Sequence, residues 1–208
     1  MRPDKFLTEA ERERIHQAVI AAESKTSGEI VPMVVTSSAR YTEIELFAVV
    51  TGLFLGMLLG SLWHDPWESY RLNLWQVIGA TLGFLIARIP AVKRRLVSRS
   101  RVDEAVNERC MAAFTEHGLH YTRDHTGILI LVSLLEHRVE VLADRGINEK
   151  VPPGTWNEVV EILTAGLKSR HAGDAFCKAV ERCGEILATH FPRKADDRDE
   201  LPNRLVSD

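Results

Sequence analysis

The string ADRGINEK, residues 143–150, holds the residue types most able to do chemistry in this chain. Asp144 and Glu149 flank Gly146, and a glycine allows the backbone to turn where other residues resist. Two carboxylates with backbone carbonyls close by are an oxygen-rich set of the kind that Ca²⁺ or Mg²⁺ takes. Asp124 is a third candidate ligand. It precedes the apolar run HTGILILVS, residues 125–133, and in a two-stranded hairpin the start of one strand lies near the end of the next. The structural alternative is that Asp144 pairs with Arg145 or caps a turn, and that Glu149 is a solvated residue leading into a helix.

Other chemistry is less well supplied. His117, His120 and His125 cluster around one loop, where imidazoles can bind a transition metal or be solvated. A cysteine phosphatase needs an activated thiolate with an arginine a few residues on to cradle phosphate. The sixth residues after Cys110, Cys177 and Cys183 are Glu116, Cys183 and Thr189, so the cysteines read as small core residues on helices. There is no phosphate-binding Walker loop and no H-E-x-x-H zinc motif.

The elements that must position these groups can be read by period. Thr8 and Glu11 form a capping-box pair, and Ile15, Ala18, Val19 and Ala22 follow at amphipathic helix spacing. EIVPMVVT, residues 29–36, is rich in β-branched residues and reads as a strand; Pro32 within it predicts an edge or a bulge. Val102, Ala105, Val106, Cys110, Ala113 and Phe114 mark a second amphipathic helix closed by Gly118. HTGILILVS is a buried-type strand, EHR turns it, and VEVLA pairs back. Thr155 and Glu158 repeat the capping-box spacing before a further helix, and Asp174 is expected to cap a last helix that Pro192 stops. Residues 193–208 are charged and read as a flexible or surface-bound tail.

Between the first strand and the second amphipathic helix lies LFAVVTGLFLGMLLGSLW, residues 46–63, without one charge in a chain that is 26% charged. Eighteen residues at helical rise span about 27 Å, close to a bilayer's hydrocarbon thickness. A weaker block, LNLWQVIGATLGFLIA at 72–87, follows the break HDPWESYR. Trp63, Trp67, Tyr70 and Trp75 cluster at the break, as an interfacial aromatic belt does. Gly52, Gly56 and Gly60, then Gly79 and Gly83, recur every fourth residue and give faces on which helices approach closely. Such faces join the two helices of one hairpin or join two copies into a homo-oligomer. Arg88, Lys93, Arg94, Arg95, Arg99 and Arg101 follow the second block, with no acid before Asp103. The positive-inside rule then sets both termini in the cytoplasm. The cations also suit anionic headgroups. The competing reading is a helical hairpin buried in a soluble protein.

Net charge is −3, with no basic domain or recognition motif, which argues against nucleic acid as a partner. Three irregularly spaced cysteines are not a disulfide framework. The charged start MRPDKFLTEAERERIH has no apolar core and does not read as a signal peptide.

The string TGILILVSLLEHRVEVLADRGINEKVPPGTW resembles the central segment of TPM domains. The matching parts are Asp124 and Gly127 ahead of the apolar strand, the charged turn EHRVEV, and Gly146, Glu149 and Pro152. LTEAERERI and GEIVPMVV resemble the family's first helix and first strand. The resemblance spans residues 6–40 and 100–191. It implies an α/β fold, a small mixed sheet flanked by helices, here interrupted by a two-helix transmembrane hairpin. The expected organisation is 1–40 as first helix and strand, 41–92 as the inserted hairpin, 93–192 as the rest of the domain, and 193–208 as the tail. Many TPM domains follow a signal peptide and end in a membrane helix; this chain, with its hairpin inside the domain, looks like a bacterial membrane subgroup. The family takes its name from a thylakoid acid phosphatase, a photosystem II repair protein and an acetylcholine-receptor accessory protein. The resemblance therefore implies an accessory module in membrane-protein assembly or maintenance, held in the inner membrane beside a membrane-protein partner. Its alternative is an acid phosphatase using Ca²⁺ or Mg²⁺ at Asp124, Asp144 and Glu149, since family members are metal-binding.

Overall fold

The structure is a computed structural model describing residues 6–62, 69–194 and 200–208, with backbone only for 69–72. Most of the break that follows the first apolar block, with Trp63, Trp67 and the side chain of Tyr70, lies outside the described residues. The chain forms two compact units, Met1–Ser38 with Glu104–Asp208, and Ala39–Asp103.

The first unit is built on a sheet of order β3-β2-β1-β4, from β1 (Glu29–Val35), β2 (Gly127–Ser133), β3 (Arg138–Ala143) and β4 (Val206–Ser207). β1 and β2 run parallel, Glu29 opposite Gly127, and β2 and β3 antiparallel, Ile128 opposite Ala143. Every residue of β1 and β2 is buried, as expected for strands covered on both faces. Ile30, Val34, Ile128, Ile130 and Val132 share one cluster with residues of α1 (Glu9–Glu23), α7 (Asn157–Lys168) and α8 (Ala172–His190). The alternate residues Val31, Met33, Leu129 and Leu131 are equally buried on the opposite face. There α5 (Arg99–Glu116) supplies Ala105, Val106, Cys110, Ala113 and Phe114, and its Arg109 pairs with Asp208 just past β4. This α/β sheet between helices is the expected fold class.

Several local expectations are met. Thr8 accepts from the Glu11 N–H while Glu11 accepts from the Thr8 N–H at 2.8 Å, a complete capping box on α1. Gly118 closes α5 at φ 71°. Pro32 has a physical reason beyond the simple edge that was expected, because β1 is an interior strand where β4 pairs. The Glu29 N–H donates toward the β2 side, to Thr126 O, whereas those of Ile30 and Thr36 donate elsewhere, to Glu23 Oε1 and Asp208 O. By alternation the missing N–H of Pro32 falls on the β4 side, and β4 begins its pairing only at Met33.

Others need correction. Thr155 is no N-cap: α7 begins at Asn157 with Trp156 before it, and the Thr155 hydroxyl donates to Pro152 O at 2.6 Å. Asp174 does not cap α8, which begins at Ala172; it lies in the first turn and pairs with Arg14 at 2.6 Å. Both spacings mimic a cap because acidic residues also favour a helix's first turn, where they offset the macrodipole. The end of the expected tail is drawn into the fold. Val206–Ser207 form β4, Leu205 is buried, and Asn203 O accepts from His16 Nδ1 at 2.6 Å.

The second unit holds α2 (Thr42–Leu62), α3 (Ser69–Ala87) and α4 (Pro90–Leu96). Among the described residues α2 alone is by itself long and apolar enough to cross a membrane; just 17% of its apolar window is buried. That exposure is unlike a soluble core helix. The described side chains of α3, Asn73–Ala87, are followed by α4 across a break of 88°. Pro90 explains the break, since it opens α4 at a position where its missing N–H is harmless. The glycines lie between the helices. A Cβ on Gly52 would stand 2.1 Å from Gly79 O, one on Gly56 2.2 Å from Trp75 O, and one on Gly83 2.2 Å from Ala48 O. These faces therefore join one hairpin to itself.

Candidate functional site

The β2–β3 pairing creates the site's neighbourhood. Because Ile128 stands opposite Ala143, the residues just before β2 meet the residues just after β3. Asp144 follows β3 and caps the short helix α6 (Arg145–Asn148): its Oδ1 accepts from the Arg145 N–H at 2.7 Å. Its own N–H donates to Gly127 O at 2.9 Å, and Asn148 Nδ2 donates back to Ala143 O at 2.7 Å. Gly146 is required by close approach, since a Cβ there would lie 2.6 Å from Asp124 O and 2.7 Å from His125 O.

Those carbonyls belong to a strained turn. His125 has φ 54°, a left-handed conformation uncommon outside glycine. This backbone brings the imidazole onto Asp144, with Nδ1 3.2 Å from Oδ2, and Arg145 Nη2 approaches Nε2 at 3.1 Å. An arginine can only donate, so Nε2 accepts and the ring proton sits on Nδ1, donating to Asp144. The result is a relay, Arg145 to His125 to Asp144, that holds the imidazole in one tautomer.

Asp124 and Glu149 play other parts. Asp124 Oδ2 accepts from Lys194 Nζ at 2.6 Å, with Arg123 Nε at 3.9 Å. Glu149 is the exposed C-cap residue of α6. Of the three residues expected to bind metal, Asp124 and Asp144 lie either side of one turn and Glu149 faces solvent. Among the described residues no three His, Cys, Asp or Glu side chains gather into a metal-binding group. Both Asp144 oxygens and one of Asp124 are already engaged, by a backbone N–H, an imidazole and an ammonium. As placed, this donor set does not fit Ca²⁺ or Mg²⁺, which take several free oxygens.

The histidine cluster divides. His125 turns to Asp144, whereas His117 Nε2 and His120 Nδ1 are buried atoms without a hydrogen-bond partner among the described residues, and the His120 ring lies 3.8 Å from that of Tyr121. The thiols are unsuited to nucleophilic attack. Burial pushes Cys110 up to about 12 and also raises Cys177 and Cys183.

Two groups escaped the sequence reading. The first is His125 as partner of Asp144, which the hairpin argument would have found had it been extended one residue past Asp124. The second is Glu136, buried at the opposite end of the sheet, whose carboxylate accepts from the Ser133 hydroxyl and, at 2.9 Å, from the Ser38 N–H. Ser38 Oγ stands 2.9 Å from Ser133 Oγ. Only tertiary pairing brings Ser38 there, so no local signal pointed to it.

Comparison with known proteins agrees with this architecture. Residues 94–186 match the TPM domain, which bears out the resemblance read from the sequence. The NMR structure of BA42 protein from the psychrophilic bacterium Bizionia argentinensis is similar, at TM-score 0.62 and 22% identity over 98% of this chain and 96% of that one. At that identity the likeness speaks for the fold. No curated protein matches the chain.

Proposed function

From a TPM-domain match over residues 94–186, we propose that this protein is a membrane-anchored TPM module of a bacterial membrane subgroup, an accessory to the assembly or maintenance of other membrane proteins. The carrying observation is that α2, uncharged from Leu46 to Leu62 and largely exposed, is inserted into the chain between β1 and α5. Its exposed Leu46, Phe47, Phe54, Leu58 and Leu62 would be costly in water and are at home among acyl chains. The cations after α3 support a cytoplasmic placement of both termini in the inner membrane. The engagement of Asp124 by Lys194 and of Asp144 by His125 supports an interaction module in preference to a metal-dependent phosphatase. The phosphatase reading would require both carboxylates to leave these contacts and converge with Glu149.

Fractionation tests the anchor. Membranes washed with alkaline carbonate should retain the full-length protein, and detergent should release it. Release by carbonate alone would sink the anchor. The purified protein should also leave a general phosphate ester intact with either Ca²⁺ or Mg²⁺ present; metal-dependent turnover abolished in folded Asp144→Asn would reinstate the enzyme.

A further inference from the structure

The second unit contains a groove of about 410 Å³ along the hairpin. Thr51 and Leu55 of α2, Ile78 and Leu82 of α3, and Val92 and Leu96 of α4 line it. Its volume is in the range of small-molecule sites, roughly 300–1,000 Å³. Its walls are almost wholly apolar, so the part of a ligand within it is hydrocarbon. One end is different in kind. There α4, turned 88° from α3, contributes Val92 and Leu96 to the groove and also carries the basic run Lys93, Arg94 and Arg95.

Charge complementarity identifies what meets this end. The two acids at the start of α2 are paired, Glu45 with Lys93 at 2.6 Å and Glu43 with Arg101 at 3.5 Å, and Asp103 past Arg99 has a partner of its own. Lys93 also donates to Arg40 O at 3.2 Å, and Arg88 lies over the Phe84 ring at 5.5 Å. Arg95, on α4 one turn from Val92, and Arg99, three residues past Leu96, are exposed. They have no ion-pair partner among the described residues. A hydrocarbon slot lined by Val92 and Leu96, with Arg95 and Arg99 each three residues further along the chain and unpaired among the described residues, suits an amphiphile with an apolar chain and an anionic head. Basic pockets beside membrane helices on the cytoplasmic side bind such head groups, and a guanidinium matches phosphate with paired donors.

We propose that the groove between α2, α3 and α4 binds one anionic phospholipid, an acyl chain along the hairpin and the phosphate against Arg95 and Arg99. This rests on the membrane-anchor reading. A second copy of the hairpin is the rival occupant. The intramolecular use of the glycine faces disfavours it, because those surfaces are already spent.

The test uses the full-length protein purified in detergent, offered dioleoylphosphatidylglycerol or dioleoylphosphatidylcholine, and read by lipid retention in native mass spectrometry. The chains are identical, so the head group alone distinguishes the two. Retention of phosphatidylglycerol should exceed that of phosphatidylcholine by about tenfold or more, from two arginines near the phosphate. Arg95→Gln with Arg99→Gln should erase that preference, whereas the paired lysine substitutions should keep most of it. Thr51→Trp, which fills the groove, should lower retention of both lipids. Equal retention of the two lipids, or a preference that survives the glutamine pair, overturns the site. Should the glutamine pair misfold, the lysine pair decides: loss of preference there overturns the site and its persistence supports it. A dimer whose mass ignores added lipid puts a second copy in the groove and also overturns it. If the protein stays in carbonate-washed membranes yet shows no head-group preference, the lipid site falls and the anchor stands; release by carbonate removes the anchor itself.

Discussion

His125, Asp144 and Arg145 form a hydrogen-bonded group in the first unit, and glycine makes that arrangement attainable. Any side chain at Gly146 would meet the Asp124 and His125 carbonyls well inside contact distance. Gly146→Ala is therefore expected to cost about 1–3 kcal/mol by overpacking. It should also displace the His125 ring, visible as a shift of its imidazole resonances; an unmoved ring would refute the close approach. The cysteines make a second case. With thiols buried and raised, Cys110 and Cys183 should resist a thiol reagent near neutral pH in the native protein. Half-buried Cys177, also raised, should react slowly. All three should react at once on unfolding, and rapid native labelling of Cys110 would contradict its burial.

At the scale of elements, caps and breaks decide where helices begin. α1 is fastened by a reciprocal cap, and Thr8→Ala should cost about 1 kcal/mol of stability in denaturant unfolding. The same cap has a pH signature. The Thr8 hydroxyl and backbone N–H hold the Glu11 carboxyl below its ordinary 4.5. A carboxyl depressed by folding contributes stability above that ordinary value and loses it as pH falls through the lower folded one. The gap between wild type and Thr8→Ala should narrow on acidification past pH 4.5, and a gap independent of pH would assign the cap's effect elsewhere. Pro90 acts in the opposite sense, ending one apolar helix and opening a basic one at a right angle to it.

At the scale of the whole chain, the last residues close what the first ones open. Leu205 is buried, β4 pairs with β1, and Asp208 accepts from Arg109 of α5. The chain's end thus ties the sheet edge to the helix layer covering one face. Truncation after Asn203 should lower unfolding stability by at least about 1.5 kcal/mol, the value of burying a leucine side chain. It should also expose the edge of β1 and promote association. A truncated chain as stable as the full one would mean that β4 adds nothing.

Periodicity in the sequence alone determined α1, α5, the three longer strands and the apolar hairpin, because burial stripes, β-branched runs and an uncharged block are local patterns. The capping box of α1 was legible for the same reason: all its atoms lie within four residues. The spacings at Thr155 and Asp174 misled because an acid in a helix's first turn satisfies the same pattern without capping. Asp124 and Asp144 were correctly brought to one end of a hairpin, since register follows from pairing. What those carboxylates touch was decided only by the tertiary structure. Lys194 lies 70 residues from Asp124 in sequence, and the Ser38–Glu136 contact spans 98 residues. No periodic signal reaches that far. Likewise glycine spacing located the close-packing faces, but only the fold showed Gly52 against Gly79, because a face specifies how near a neighbour can come and not which neighbour it is.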